Sequence, residues 1–421
     1  MGRRLEGAGP SIMSLRKFLI ILAAVLVLAA AAVYIFTARA VTALEGYKNS
    51  NIQMGAVSTA AADKVCPKVE PQAVAAVVAT TQKAQADKSG AAAADNQAIS
   101  ADIANGHGHA RLVCLADALK ATLSDDMKRK MLLPYTVEDA KKWSNFPPIG
   151  YPDRVGATLG DFTAEQLGFV KAMLVEAMGI APNEGYDELE QILNADDYLK
   201  ANTDDNAGFS SSNFHFAFLG TPAATGTWEL YYGGHHTAVT NTFKDGRLVG
   251  ATPSFRGVEP FTPFAMNGHE NNPMAQERAA FAAVLASLEP LQRGQAKLTE
   301  LFTDVIAGPQ KDDNFPREPE GLKIGDLAPK QQALVMSAIE TYVRDIAPPD
   351  ADTIVAKYRA ELAETYVAFS GTPELATDND YIRIDGPSIW IEFSMQPGRS
   401  IPGVHPHSVW RDKQTDYGGN I

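Results

Sequence analysis

The strongest constraint on the fold of this chain is that two of its long segments resemble each other. GDFTAEQLGFVKAMLVEAM begins at Gly160 and matches GDLAPKQQALVMSAIETYV, which begins at Gly325, and both have the apolar spacing of an amphipathic helix. Further along, AFLGTP at Ala217 matches AFSGTP at Ala368. Such internal similarity predicts one structural unit that is built twice.

Strand-like segments follow the helices in each copy. WELYYGGHHTAVTNTF aligns with YIRIDGPSIWIEFSM, and ATPSFRG aligns with PHSVWRD so that Arg256 meets Arg411. Alternation along these strands gives one mostly apolar face that should pack on the helices, comprising Thr237, Val239, Phe243, Ile389, Ile391 and Phe393. We therefore predict an α+β fold formed by internal duplication of a unit of helices followed by an antiparallel β meander.

The two copies set the predicted domain boundaries. The first repeat covers residues 112–257, the second covers 281–421, and a connector rich in Pro, Asn and Gly covers 258–280. Residues 37–111 are rich in Ala and in polar side chains with few large apolar groups, which predicts a stalk or linker.

An apolar segment without charged residues, 18–36, indicates that the chain starts in a membrane, because it is about long enough to cross the hydrocarbon core. Basic residues are concentrated in the lead 1–17, which predicts a cytoplasmic lead and a periplasmic or extracellular body. The length of the segment favours an uncleaved single-pass anchor that attaches the protein to the cell membrane. A cleavable signal that ends at Ala38, Arg39 and Ala40, and hence a secreted protein, remains the alternative.

Charge and motifs exclude several classes of function. The chain has 37 Lys and Arg against 50 Asp and Glu, a net charge of −13, which disfavours binding to nucleic acid. It contains no G-x-S-x-G elbow, no Walker loop and no Rossmann fingerprint after a strand, so it lacks support as a serine hydrolase or a nucleotide-dependent enzyme. The two cysteines, Cys66 and Cys114, either form a disulfide in an oxidising compartment or are unpaired small residues of the core.

Histidines mark the places where the two copies differ. His235 and His236 stand where the second copy has Pro and Ser, and His405 and His407 stand where the first copy has Gly and Thr. A residue kept in both copies serves the shared scaffold, whereas a residue found in one copy is freer to serve function. His405 and His407 are two apart on a predicted strand, so both imidazoles project to one face and can meet one ion.

Strand parity extends this pair to a candidate metal site. Adjacent His235 and His236 would point in opposite directions on a strand, and parity favours His236 as the third imidazole; Glu392 shares the same parity. Three imidazoles and a carboxylate suit zinc, copper or iron rather than calcium or magnesium. The candidate metal ligands are therefore His235, His236, Glu392, His405 and His407.

A structural interpretation of the same residues stays open. In it, the histidines cap turns and bond to backbone groups, and Glu392 pairs with an arginine such as Arg383 or Arg411. Arg411 has a counterpart in the first copy and is therefore interpreted as part of the scaffold, with a contact to an anionic substrate group as its second candidate role.

The chain resembles the bacterial family known as domain of unknown function 3500 over about residues 112–419. The resemblance is carried by the GGHH stretch with Gly234, His235 and His236, and by HPHSVWRD with His405, His407, Ser408, Arg411 and Asp412. Members of that family often have an Asn-rich stretch before the last histidines, whereas this chain has SMQPGRSIPGV there. The resemblance implies no reaction; it implies that the N-terminal anchor and stalk are additions to a shared body.

Two hypotheses about function follow from the sequence. The first is an extracytoplasmic, membrane-tethered metalloprotein with a His-rich site between the two repeats, which would act on a small molecule as a metal-dependent oxidoreductase or hydrolase. The second is a non-catalytic envelope protein that binds a small molecule or a partner, in which the histidines are structural. Whether the protein is an enzyme stays open, and the sequence predicts no oligomeric state.

Overall fold

The computed structural model describes residues 51–68, 109–204 and 207–419. The predicted lead, anchor and most of the predicted stalk lie outside the described residues. Within the described residues, no helix combines the length and the apolar character that crossing a membrane requires.

The described chain is a mixed α+β protein, as the sequence predicts. Its α-helices are α1 (Ala60–Val65), α2 (His109–Thr122), α3 (Asp125–Met131), α4 (Val137–Ala140), α5 (Ala164–Ala177), α6 (Gly185–Asn202), α7 (Ala275–Ser287), α8 (Pro290–Ala296), α9 (Pro329–Val343) and α10 (Pro348–Glu361). The matching helices α5 and α9 begin by different devices. Thr163 and Gln166 form a capping box at α5, and Pro329 occupies the first position of α9, where its missing N–H is not needed.

The strands form one large sheet and one short hairpin. They are β1 (Leu132–Leu133), β2 (Ala157–Thr158), β3 (His215–Gly220), β4 (Thr227–Gly234), β5 (Thr237–Lys244), β6 (Arg247–Gly250), β7 (Ser254–Gly257), β8 (Phe264–Met266), β9 (His269–Asn271), β10 (Leu322–Lys323), β11 (Tyr366–Ser370), β12 (Tyr381–Asp385), β13 (Ile389–Pro397) and β14 (Val404–Asp412). The sheet order is β1-β3-β4-β5-β7-β14-β13-β12-β11-β10, with β2 paired to β3 and β6 paired to β5, while β8 and β9 form the hairpin. Strands β7 and β14 meet at the centre, where the two halves of the chain join.

The elements of the two halves follow the same order along the chain. In the first half α5 and α6 precede β3, β4, β5 and β7; in the second half α9 and α10 precede β11, β12, β13 and β14. The pairing of β3 with β4 and of β4 with β5 is repeated by β11 with β12 and β12 with β13, all antiparallel.

The two faces of the large sheet differ in chemistry. One face is apolar and joins the helices in two hydrophobic clusters, and it includes Val239, Phe243, Ile391 and Phe393 as the alternation predicts. The opposite face carries polar side chains, among them Glu229 and Glu392, together with His405 and His407. Burial of an apolar face against helices is the main stabilising contribution in such a layered fold. The second face combines the polar side chains with a smaller apolar cluster that includes Tyr231, Ala238 and Val409.

A segment that the sequence assigns to the stalk packs on the body instead. Within residues 51–68, Met54 and Ala62 are buried in the same hydrophobic cluster as α5. The Lys171 ammonium donates to the Met54 carbonyl at 2.7 Å, and Cys66 forms a disulfide with Cys114 of α2. These few apolar residues are enough to pack one small helix on the core. The Ala-rich composition of the surrounding sequence does not indicate this packing.

Candidate metal centre

Three histidines from both halves of the chain meet on the polar face of the sheet. His405 and His407 lie two apart on β14, and His236 lies in the two-residue turn that joins β4 to β5. Strand β7 connects the two places, because Gly257 pairs with His407 and its N–H donates to the His236 carbonyl at 2.8 Å. The pairing of β7 with β14 therefore brings the turn of the first half beside the last strand of the second.

The Nε2 atoms of the three imidazoles converge. The His407 Nε2 lies 3.2 Å from the His405 Nε2 and 3.2 Å from the His236 Nε2. Among the described residues, this trio is the one group of three or more His, Cys, Asp or Glu side chains whose donor atoms all lie within 4.8 Å of one another. All three side chains are buried.

Burial keeps two of these imidazoles in the uncharged form. Desolvation, with the neighbouring imidazoles, holds the pKa of His236 well below its usual value and lowers the pKa of His405 to about 3. A neutral imidazole has a free lone pair on one ring nitrogen, which is the form that binds a metal ion. The site therefore presents ligand-ready nitrogen donors at neutral pH.

A carboxylate fixes the ring of His407. The His407 Nδ1 lies 2.9 Å from the Asp304 Oδ1, and the Asn145 side-chain nitrogen lies 3.5 Å from the same ring nitrogen. A proton on Nδ1, held by the carboxylate, leaves the Nε2 lone pair directed at the other two imidazoles. Carboxylate–histidine pairs of this kind orient the ligands of many protein metal sites.

Neither Asp304 nor Asn145 was a candidate from the sequence. Asp304 lies in the loop between α8 and β10, and no motif surrounds it in the sequence. Asn145 belongs to an Asn-Phe-Pro stretch that recurs at residue 314, which made it look like scaffold. Its carbonyl also accepts a hydrogen bond from the His236 N–H at 3.1 Å.

His235 lies beside the trio without joining it. Strand parity does not apply to these two histidines, because both occupy the turn and His236 has a positive φ of 59°. The turn stacks the two rings with their centroids 3.8 Å apart, and the His235 Nδ1 lies 2.5 Å from the Asp196 Oδ1 on α6. His235 is thus a neighbour of the cluster that is held by its own carboxylate.

Glu392 lies on the predicted face but is not part of the three-histidine cluster. It pairs with Val409 on β14, two residue pairs along the strands from the pair of Ser394 with His407. Its carboxylate accepts hydrogen bonds from the Ile306 and Ala307 N–H groups at 2.6 and 2.9 Å and from the side chains of Tyr381 and Trp390 at 2.8 Å each. These four donors occupy the carboxylate, which is why parity alone was insufficient to predict a ligand.

Arg411 is fully buried, and its guanidinium is bound by the protein itself. It donates to Asp416 at 2.7 Å, to Asp312 at 2.8 Å and to the Ala307 carbonyl at 3.0 Å. Its counterpart Arg256 is also buried and lies 3.2 Å from Asp345. Both guanidinium groups are thus bound by carboxylates of the protein itself.

The distances from the His407 Nε2 to the other two Nε2 atoms suit a tetrahedral metal ion. Two nitrogens that are each 2.0–2.1 Å from such an ion stand roughly 3.3–3.4 Å apart, close to the observed separations. In the alternative without a metal ion, the His236 and His405 rings would both donate to the His407 Nε2. Three buried imidazoles would then be grouped only for these hydrogen bonds. Three buried imidazole nitrogens, held within 4.8 Å of one another, match a metal site in number and type.

Fold and site together define the class: an α+β protein that carries a buried three-histidine cluster where its two halves meet. Residues 105–419 match the family described as protein of unknown function (DUF3500), and the chain belongs to this family. The resemblance seen in the sequence is thereby confirmed. The comparisons found no match to the chain among curated proteins or among solved structures.

Proposed function

We propose that the protein is a metalloenzyme in which His236, His405 and His407 bind one transition-metal ion through Nε2. The observation that carries the proposal is that the Nε2 atoms of His236 and His405 each lie 3.2 Å from the His407 Nε2. Zinc is the favoured ion, because imidazole suits zinc and the separations fit tetrahedral geometry. Copper and iron remain compatible with a three-nitrogen donor set.

A catalytic role is favoured over a structural one by the number of ligands. Structural zinc is held by four protein donors, whereas catalytic zinc is held by three and keeps one position open. Within the described residues, three donors converge here. When bound, the ion would act as a Lewis acid toward a small molecule at the open position, which supports a hydrolytic reaction for zinc and an oxidative one for copper or iron.

The protein's own residues would prepare this site. Asp304 holds His407 in the tautomer with a free Nε2, and the neighbouring backbone fixes the His236 turn through Gly257 and Asn145. The pair of Asp196 and His235, stacked on His236, supplies a second imidazole beside the cluster for moving a proton.

We also propose that the protein acts outside the cytoplasm, attached to the membrane by segment 18–36. Two observations support this location: the length and flanking charges of that segment, and the disulfide between Cys66 and Cys114. Disulfides persist in oxidising compartments and are rare in the cytosol.

We further propose that the two halves of the body derive from duplication of one ancestral unit. The repeated order of elements supports this proposal.

Metal analysis tests the proposed function. Protein purified without chelator, then incubated with zinc and dialysed, should hold about one ion per chain. The His236→Ala variant and the His405→Ala, His407→Ala double variant should hold almost none. His269→Ala is the matched control, because that imidazole is 40% exposed and lies on the β8–β9 hairpin, outside the large sheet that contains β14.

Equal metal content in all of these variants would contradict the proposal. A wild-type protein that binds neither zinc, copper nor iron would favour the non-catalytic envelope protein, with the histidines as structural residues. Redox cycling of the bound ion would separate an oxidoreductase from a hydrolase.

A further inference from the structure

We infer that Glu392 is a positioning residue for the metal centre, which it serves by holding the loop that carries Asp304 against His407. This inference rests on the proposed function. In this role Glu392 is not a metal ligand but lies behind Asp304, which in turn bonds to His407.

Glu392 binds the backbone of the loop through hydrogen bonds. Its two carboxylate oxygens each accept one backbone N–H, from Ile306 at 2.6 Å and from Ala307 at 2.9 Å. These two residues follow Asp304 by two and three positions, so the carboxylate fixes the backbone immediately after it. Hydrogen bonds from backbone N–H groups to a charged acceptor are among the stronger ones in proteins.

The second step is the rigidity of Glu392 itself. The side chain is fully buried, and the Tyr381 hydroxyl and the Trp390 indole N–H donate to it at 2.8 Å each. Tyr381 and Trp390 thus fix the orientation of the carboxylate on β13. The position of the carboxylate in turn fixes the position of the loop backbone that is bonded to it.

The third step is that the carbonyls of the same two loop residues are also bound. Arg411 donates to the Ala307 carbonyl at 3.0 Å, and Asn314 donates to the Ile306 carbonyl at 2.8 Å. The N–H and the carbonyl of both residues are therefore hydrogen-bonded. Asp304, by contrast, is 40% exposed, so the loop backbone rather than side-chain burial must place its carboxylate.

The last step links the loop to the ion. The Asp304 Oδ1 lies 2.9 Å from the His407 Nδ1, and His407 is the member of the trio whose Nε2 lies 3.2 Å from both of the others. Removal of a carboxylate that orients a ligating histidine weakens metal binding by roughly 10- to 100-fold. Glu392 should therefore influence the dissociation constant of the metal through Asp304, although it does not contact the ion.

A double-mutant cycle tests this chain of contacts. The dissociation constant for Co²⁺ would be measured by chelator competition, with the visible absorption of bound Co²⁺ as a report on ligand geometry, in Asp304→Asn, Glu392→Gln and the double variant. Each single variant should bind Co²⁺ roughly 10-fold or more weakly with a changed spectrum. The double variant should bind no more weakly than Asp304→Asn alone, because Glu392 acts through Asp304.

Glu229→Gln is the matched control, since it makes the same substitution at a buried carboxyl on the same face of the sheet. Glu229 accepts from Thr242 at 2.9 Å, whereas the Ile306 and Ala307 N–H groups donate to Glu392. Its Co²⁺ affinity should equal that of the wild type. An equal loss of affinity in Glu229→Gln would overturn the inference, because the effect would then be one of general core disruption.

Two further outcomes are distinguishable. If the wild type binds no Co²⁺, the proposed function fails and the inference fails with it. If the wild type binds but Glu392→Gln binds equally well, or if its effect adds fully to that of Asp304→Asn, the inference alone fails.

A surface variant keeps the test decisive if Glu392→Gln does not fold. Asn314 is exposed and bonds to the Ile306 carbonyl, so Asn314→Ala loosens the same loop without touching the core. A weaker affinity in Asn314→Ala that disappears in the Asp304→Asn background would support the inference. Wild-type affinity in Asn314→Ala would then overturn it.

Discussion

The Nε2 atoms of His236 and His407 lie 3.2 Å apart, although 171 positions separate the two residues in the chain. The distance is set by one backbone contact, the hydrogen bond from the Gly257 N–H to the His236 carbonyl, and by the pairing of Gly257 with His407. The cluster therefore depends on the seam between β7 and β14. Neither half of the chain contains all three donors.

His235 and His236 should differ sharply in a substitution test. His235→Ala should retain about one bound ion per chain with a modestly weaker affinity, because that imidazole bonds to Asp196 and only stacks on His236. His236→Ala should lose the ion. Metal content after dialysis checks both, and loss of the ion in His235→Ala with retention in His236→Ala would reverse the assignment of the third ligand.

Stability should depend on pH through Glu229. Burial raises the pKa of this carboxyl from 4.5 to about 8, and Thr242 donates its one recorded side-chain hydrogen bond. The contribution of its protonated form is fully present below about pH 4.5 and is lost as the pH rises toward 8, because the unfolded chain ionises first.

Glu229→Gln removes this dependence. The variant should match the wild type near pH 4 and exceed its free energy of unfolding by a few kcal/mol, at most about 5, at pH 8 and above. Urea unfolding of both proteins across this range measures the difference. Parallel curves over the whole range would show that Glu229 does not titrate as described.

Arg411 should be needed for folding. Its removal in Arg411→Met leaves the buried Asp416 without its cation and leaves Asp312 with Lys141 at 3.5 Å, and breaking a buried pair in this way costs about 3–5 kcal/mol. Arg344→Met is the control, because that arginine is 43% exposed in its pair with Glu340 and should cost less than about 1 kcal/mol. Similar unfolding midpoints for the two variants would contradict the scaffold role.

The disulfide predicts a simple labelling result. Denatured but unreduced protein should react with no thiol reagent, whereas reduced protein should react at both Cys66 and Cys114. The Cys66→Ser, Cys114→Ser variant should lose roughly 2–4 kcal/mol of unfolding free energy, since the bridge closes a loop of 48 positions. Two reactive thiols in the native, oxidised protein would contradict the bridge.

Much of the fold could be predicted because it follows from periodicity. The matching helices, the strands and the apolar face with Val239 and Ile391 all follow from local alternation and the internal repeat. The same parity correctly puts His405 and His407 on one face of β14. Local pattern decides these features, so sequence suffices for them.

The rest of the site depends on contacts that a local pattern does not encode. Asp304 reaches His407 only because a loop crosses the polar face of the sheet, and Glu392 binds that loop rather than an ion. The two-residue turn, which parity treats as strand, stacks His235 on His236. The first two cases need the position of a distant segment, and the third needs the backbone conformation of the turn; duplication and periodicity specify neither.

Anomalous diffraction at the zinc edge from crystals of zinc-loaded protein tests the central claim most directly. The account predicts one strong peak about 2.0–2.1 Å from the Nε2 atoms of His236, His405 and His407, and no such peak in His405→Ala, His407→Ala crystals. The absence of a peak among these three nitrogens in the wild type, with zinc present in the crystal, would contradict it.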